Sequence, residues 1–155
     1  DIVMIRKAVS TDLETLACLA AELWPRHSVQ ELQEEFAPLL ARPDACFFLL
    51  YHQGEPAGFA QCQLRHDYVQ GTRSSPVGYL EGIFVREDCR RQGYARELLA
   101  ACQAWAAAQG CREFASDCEL TNQESYRFHL ATGFGEAGRI ICFVKELSPS
   151  PREKE

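Results

Sequence analysis

A chain of 155 residues, 46% hydrophobic and 25% charged, has the size and make-up of one ordinary globular domain with no room for a second substantial core. Its formal net charge of −6 argues against nucleic acid as the main partner, and no apolar run approaches the roughly 20 residues of a membrane span. The opening residues lack the apolar segment of a secretory signal, and the 8 scattered cysteines contain no Cys-x-x-Cys pair, so a soluble, cytoplasmic protein with reduced thiols is expected, without a metal site.

Ile2 to Ala8 reads as a first strand. Thr11-Asp-Leu-Glu14 has capping-box spacing ahead of Leu13, Leu16, Ala17, Ala20 and Leu23, an amphipathic helix ending at Trp24-Pro25. Ser28-Val-Gln-Glu31 repeats the spacing, and Leu32, Phe36, Leu39 and Leu40 form a second helical stripe that Pro43 stops. Ala45 to Tyr51 and Ala57 to Arg65 flank His52-Gln-Gly-Glu55 as a hairpin would, and Val77 to Val85 extends the antiparallel sheet. From Ala95, helical spacing of Leu98, Leu99, Cys102, Trp105 and Ala106 persists to Gln109, with Gly110 as the stop. Glu113 to Ser116 is a short strand, Gln123 to Thr132 a helix, and Gly133-Phe134 a turn into a last strand over Arg139 to Leu147. The domain is expected over residues 1–147, with 148–155 a polar, disordered tail. This order predicts a mixed α/β (α+β) domain, its sheet mostly antiparallel and parallel where helices cross over.

Between the strand ending at Val85 and the long helix lies Arg90-Arg-Gln-Gly-Tyr-Ala-Arg96. The first amides of a helix have no partner within it, and with the positive end of the helix dipole they suit a phosphate-sized anion. Gly93 permits close backbone approach. The alternative is a surface turn whose arginines pair with Glu87, Asp88 and Glu97; the motif alone leaves both open.

The apolar strand, Arg90-x-x-Gly93-x-Ala95, the long helix, the short strand, Asn122, the next helix and Gly133-Phe134 together resemble the acetyl-CoA-binding half of GNAT-type N-acetyltransferases. The resemblance implies a splayed strand pair in the sheet. It assigns Ile83, Phe84 and Val85 to the pantetheine arm, Arg91, Gln92, Gly93, Tyr94, Ala95 and Arg96 to the pyrophosphate, and Asn122 to the cofactor arm.

Glu22-Leu-Trp-Pro25, Arg65-His-Asp-Tyr-Val-Gln-Gly-Thr72, Ser74-Ser-Pro-Val77, Leu80-Glu-Gly-Ile-Phe-Val85 and Cys111-Arg-Glu-Phe-Ala-Ser-Asp117 resemble the aminoglycoside 6'-N-acetyltransferases of bacteria. That likeness implies transfer from acetyl-CoA to the 6'-amino group of an aminoglycoside, with drug resistance as the result. It places Trp24, Tyr68, Glu81 and Asp117 at the substrate. The chemistry agrees: a polyammonium substrate needs carboxylates, and a carboxylate such as Glu81 inside an apolar strand is costly unless paired or functional. A GNAT enzyme for polyamine or protein amines, or a non-catalytic acyl-CoA-binding domain, are the competing readings.

An ammonium with a pKa near about 10.4 must lose a proton before it attacks the thioester. Asp117 is the first candidate base and Glu81 the second. For the departing thiolate, His129 stands where many GNAT enzymes carry a tyrosine, and Tyr126 lies one helical turn earlier. Gly138 aligns with an acidic substrate contact of some relatives, which Glu136 would have to replace. Apolar Ile140 to Val144 implies, by the same likeness, a homodimer paired or exchanged through the last strand.

Overall fold

Strands with apolar side chains on both faces need cover on both, and this requirement organises the fold. The computed structural model describes residues 2–148, so the expected tail lies, beyond Ser148, outside the described residues. In chain order the elements are β1 (Val3–Lys7), α1 (Leu13–Leu23), α2 (Val29–Leu40), β2 (Ala45–His52), β3 (Glu55–Arg65), β4 (Val77–Val85), α3 (Tyr94–Ala108), β5 (Phe114–Ser116) and α4 (Gln123–Ala131). The sheet order is β1-β2-β3-β4-β5, antiparallel except for the parallel pair β4 and β5.

On one face Phe47, Leu49 and Phe59 pack with Leu16, Ala20, Leu32 and Phe36 of α1 and α2. On the other, Cys46, Leu50, Ala60 and Cys62 meet Leu98, Leu99 and Cys102 of α3. The alternation along β2, and along β3 beyond the register shift at Ala57, is what feeds two cores from one sheet.

Two local features differ from the sequence expectation. The Ser28 capping box forms, with Glu31 N–H donating to Ser28 Oγ at 3.1 Å and Ser28 N–H to Glu31 Oε1 at 3.2 Å. The Thr11 box does not: a 3-10 turn over Ser10–Asp12 precedes α1, and Asp12 accepts the Val9 N–H and two bonds from Arg6, each at 2.8 Å. A charge-assisted pair plus an amide outweighs a threonine hydroxyl bound to one amide, so Asp12 takes over the helix start. The second difference is the last strand, which does not form. Residues 135–148 carry no helix or strand, and Ile141, Phe143 and Val144 are 81%, 91% and 99% exposed. A strand exists only through pairing, and no described strand lies beside this segment.

Two irregularities of β4 position the site. Gln61 pairs with Gly82 but Cys62 pairs with Leu80, so Glu81 is the extra residue of a β-bulge. Side-chain parity changes there, since Leu80 before the bulge and Ile83 and Val85 after it all pack toward α3. The splay is equally plain: β5 pairs with β4 only from Gly78 to Leu80, and β4 continues to Val85 with no described strand on that side.

All eight cysteines are free thiols. No described helix is long and apolar enough to cross a membrane, and among the described residues no three metal-ligating side chains gather.

Candidate active site

The turn that leads into α3 is built mainly of backbone. Arg91 (φ 64°) and Gly93 (φ 82°) both take left-handed conformations, which turn the chain sharply into α3. Gly93 is the N-cap of α3 and no side chain caps that end, so the first-turn amides keep their hydrogen-bonding capacity. A Cβ built at Gly93 meets nothing within 4 Å, so the space before the turn is open. These features fit a phosphate group.

The side chains around the turn divide into two groups. Arg90 donates to the Val85 carbonyl at 2.9 Å, and Arg96 donates to the Ala131 carbonyl at 3.2 Å, tying α3 to the end of α4. Neither forms the expected alternative pairs with Glu87, Asp88 or Glu97; Arg90 instead lies 3.8 Å from Glu124. Arg91 and Gln92 are exposed on the turn. Tyr94 is buried, and its hydroxyl donates to Gln92 of the turn at 3.0 Å. Ala95 is half-buried against the α3 core. Ile83, Phe84 and Val85 likewise turn their side chains into the cores and leave a backbone edge along the splay. Asn122 caps α4 by accepting the Ser125 N–H at 3.0 Å.

The region around the β4 bulge is built of side chains. Trp24, at the end of α1, meets Phe36 and Phe59 edge-on, with ring centroids 6.4 and 6.1 Å away. Its indole rests on Gly82, where a Cβ would come within 2.6 Å of it, and so it lies next to the bulge that presents Glu81. Both carboxylate oxygens of Glu81 accept from Arg65, at 3.1 and 2.8 Å, and the guanidinium carbon sits 3.4 Å from the Tyr79 ring centroid. Tyr79 in turn donates a short hydrogen bond to Asp117, which stands exposed just past β5. The two expected carboxylates are thus brought into one network, joined by Arg65 and Tyr79. Burial, then the bond to Asp117, pushes the Tyr79 phenol up, so it remains a neutral donor. Burial opposes the Arg65 charge, but the bond to Glu81 and its field outweigh that and raise its pKa.

Tyr68 is 80% exposed, and its hydroxyl accepts the Gly71 N–H at 3.3 Å within its own loop. That loop is anchored by Glu113, which accepts from the Ser74 hydroxyl and, at 2.8 Å, the Arg73 N–H. The Ser74 bond, aided by the Arg73 amide, holds the Glu113 carboxyl below its usual range. The same loop touches the C-terminal segment: a Cβ at Gly138 would fall 2.2 Å from the Gln70 amide nitrogen, and Glu136 is engaged by Arg139 at 2.6 Å.

His129 Nδ1 lies 2.7 Å from the Ser125 carbonyl and Nε2 lies 2.8 Å from Ser116 Oγ. A carbonyl only accepts, so Nδ1 carries a proton, while Ser116 Oγ, which also lies 3.4 Å from the Leu80 carbonyl, faces Nε2. Sequence reasoning singled out Glu81 and Asp117 but missed Arg65, Tyr79 and Glu113. Tyr79, two residues before Glu81, and Arg65, inside one of the family-like stretches, carried the available signals.

The model of the acetyltransferase (GNAT) family matches residues 11–134. Aminoglycoside N(6')-acetyltransferase type 1 of Stenotrophomonas maltophilia is 43% identical over 147 residues, covering 94% of this chain and 95% of that protein. The Serratia marcescens protein of the same name is 42% identical over 137 residues, 88% of this chain and 94% of its own. Among solved structures, aminoglycoside N-acetyltransferase AAC(6')-Iy in complex with CoA superposes with a TM-score of 0.90 at 39% identity, covering 94% of this chain and 96% of that one. The same enzyme with a bisubstrate analogue, CoA-S-monomethyl-acetylneamine, also gives 0.90 at 39% identity, covering 95% and 100%.

Proposed function

The chain belongs to the GNAT acetyltransferase family, and from that premise we propose that it transfers acetyl from acetyl-CoA to the 6'-amino group of aminoglycoside antibiotics, conferring resistance. It is an acetyl-CoA-dependent N-acetyltransferase. The observation that carries the substrate reading is the pair Glu81 and Asp117, held in one network beside the splayed end of β4. A polycationic acceptor needs such carboxylates close to the thioester, and a mere cofactor-binding domain does not. The relatives named for this activity match nearly the whole chain.

Each residue has a task. The α3 amides and the turn around Gly93 seat the pyrophosphate, and the free edge of β4 through Ile83, Phe84 and Val85 runs along the pantetheine arm. Trp24 and Tyr68 wall the acceptor cleft. Asp117, which receives only a neutral phenol's hydrogen bond, takes the proton from the ammonium, directly or through a water, and the neutral nitrogen then attacks the thioester carbonyl. Glu81 is engaged on both oxygens by Arg65 and serves the field of the site rather than as the base. His129, bonded to the Ser125 carbonyl and to Ser116 Oγ, is the candidate donor to the departing thiolate.

The exposed apolar segment from Ile140 to Val144 supports a homodimer in which it finds a pairing partner on a second copy. The cytoplasm, where thiols stay reduced, suits all eight free cysteines. Purified protein, acetyl-CoA and a thiol-release readout, with kanamycin, spermidine and a lysine peptide as acceptors, test the activity. Turnover of kanamycin is expected; turnover of spermidine alone would favour a polyamine acetyltransferase, and no turnover anywhere would refute both. Light scattering after size exclusion tests the dimer, and a concentration-independent monomer rejects it.

A further inference from the structure

Arg65 is a cation placed inside a site read as a receptor for cations. Its guanidinium uses two donors on Glu81, at 3.1 and 2.8 Å, and lies flat enough on Tyr79 to bring its central carbon within 3.4 Å of the ring centroid. Tyr79 reaches on to Asp117. The fixed charges of the cluster are therefore Arg65, Glu81 and Asp117, one positive against two negative. Of the other titratable groups, Tyr79 and the buried Cys62 thiol also feel the charge of Glu81, and both stay neutral. A guanidinium bound in two places to a carboxylate and stacked on an aromatic ring is a rigid arrangement that lysine does not reproduce geometrically, though lysine preserves the charge.

That charge count bears on a conflict within the proposed reaction. Carboxylates attract an ammonium, but every unbalanced carboxylate also stabilises its protonated form and so withholds the neutral nitrogen that attacks. We infer that Arg65 is a positioning residue that sets this balance: by neutralising Glu81 and holding Tyr79 on Asp117, it leaves the acceptor site with a single surplus negative charge. Binding strength is sacrificed for a larger fraction of deprotonated amine. The inference rests on the acetyltransferase reading of the same site.

Removing the guanidinium then has opposite effects on binding and on turnover. In Arg65→Gln, Glu81 adds a second uncompensated charge near the ammonium. The ascending limb of kcat against pH is expected to move up by about one unit, so kcat at neutral pH falls about tenfold, while KM for kanamycin falls several-fold. Arg65→Lys keeps the charge and should keep the wild-type limb, which also controls for folding. The double variant Arg65→Gln with Glu81→Gln restores the count and should return the limb to its original position.

The experiment measures pH profiles of kcat and KM for the wild type and these three variants, with calorimetry of kanamycin and spermidine in the absence of acetyl-CoA. Tighter polycation binding by Arg65→Gln together with the displaced limb supports the inference. Weaker binding with an unmoved limb shows a purely structural arginine and overturns it, as does failure of any variant to bind either polycation. If the wild type acetylates only spermidine, the aminoglycoside reading fails while the Arg65 prediction is still decided by the spermidine profiles.

Discussion

Two arginine–carboxylate–tyrosine clusters occupy different parts of the same sheet. In the first, Arg6 of β1 bonds both oxygens of Asp12 at 2.8 Å and approaches Tyr51, with a bond of 3.0 Å to its hydroxyl. In the second, Arg65 of β3 bonds both oxygens of Glu81 on β4 and stacks on Tyr79. The groupings are chemically alike, but their surroundings differ. Asp12 is buried, also accepts the Val9 N–H, and has its charge balanced by Arg6. The Tyr79 hydroxyl instead leads to another carboxylate, Asp117, which is exposed and has no cation of its own among its described hydrogen bonds. A balanced cluster has nothing to offer a ligand and contributes to stability; a cluster with a surplus negative charge attracts a cation.

Substitutions at matching positions test this contrast. The largest effect is expected at Asp117: Asp117→Asn lowers turnover about a hundredfold or more while calorimetry shows unchanged affinity for acetyl-CoA. Unaltered turnover would remove Asp117 from its assigned role. At the balanced cluster, Asp12→Asn should cost about 2 kcal/mol of stability in urea unfolding, through the lost charge and the loss of one of the two accepting oxygens, and leave kcat untouched at 25 °C. A loss of activity without a loss of stability there would erase the distinction between the clusters.

The tyrosines provide a smaller, paired comparison. Tyr79→Phe removes the donor to Asp117 and should lower kcat about tenfold, the scale of one hydrogen bond to a charged group. Tyr51→Phe removes a bond from Arg6 and should appear only in unfolding, at about 0.5–1 kcal/mol. Equal kinetic effects from the two changes would contradict the assignment.

The smallest effect is one of pH. The bond from Arg6, with the Val9 amide, holds the Asp12 carboxyl below the usual aspartate range, against the opposing cost of burial. A depressed carboxyl contributes stability above its unfolded pKa and loses it as pH falls through the folded one. The stability difference between wild type and Asp12→Asn should therefore be constant from neutrality to about pH 5 and shrink below about pH 4. A difference that grew on acidification would reverse the sign and refute the cause.

Much of the fold was legible because its determinants are local. Helical spacing placed α1, α2 and α3, the Ser28 box marked the start of α2, and Gly110, at φ 94°, ends the turn after α3 as expected. The start of α1 was misread because the group that fixes it, Arg6, lies in a preceding strand and not within the box. The Arg139 to Leu147 segment was misread because strand propensity is realised only beside another strand, and alternation cannot show whether one is present.

The candidate site divides along the same line. Glu81 was visible in the sequence as a carboxylate in an apolar run, Asp117 as the end of a short strand, and Gly93 as the glycine before a helix, since each signal lies within a few residues of the group it concerns. That Glu81 is the bulged residue, that Arg65 meets it from 16 residues away, and that Tyr79 reaches Asp117 across 38 residues were decided by the register of β3 on β4 and of β4 on β5. A shift of one residue in either pairing would turn these side chains to opposite faces. By itself the sequence determined which elements form and which charged groups need an explanation. Which charges neutralise one another depends on distances across strands, and only the assembled sheet sets those.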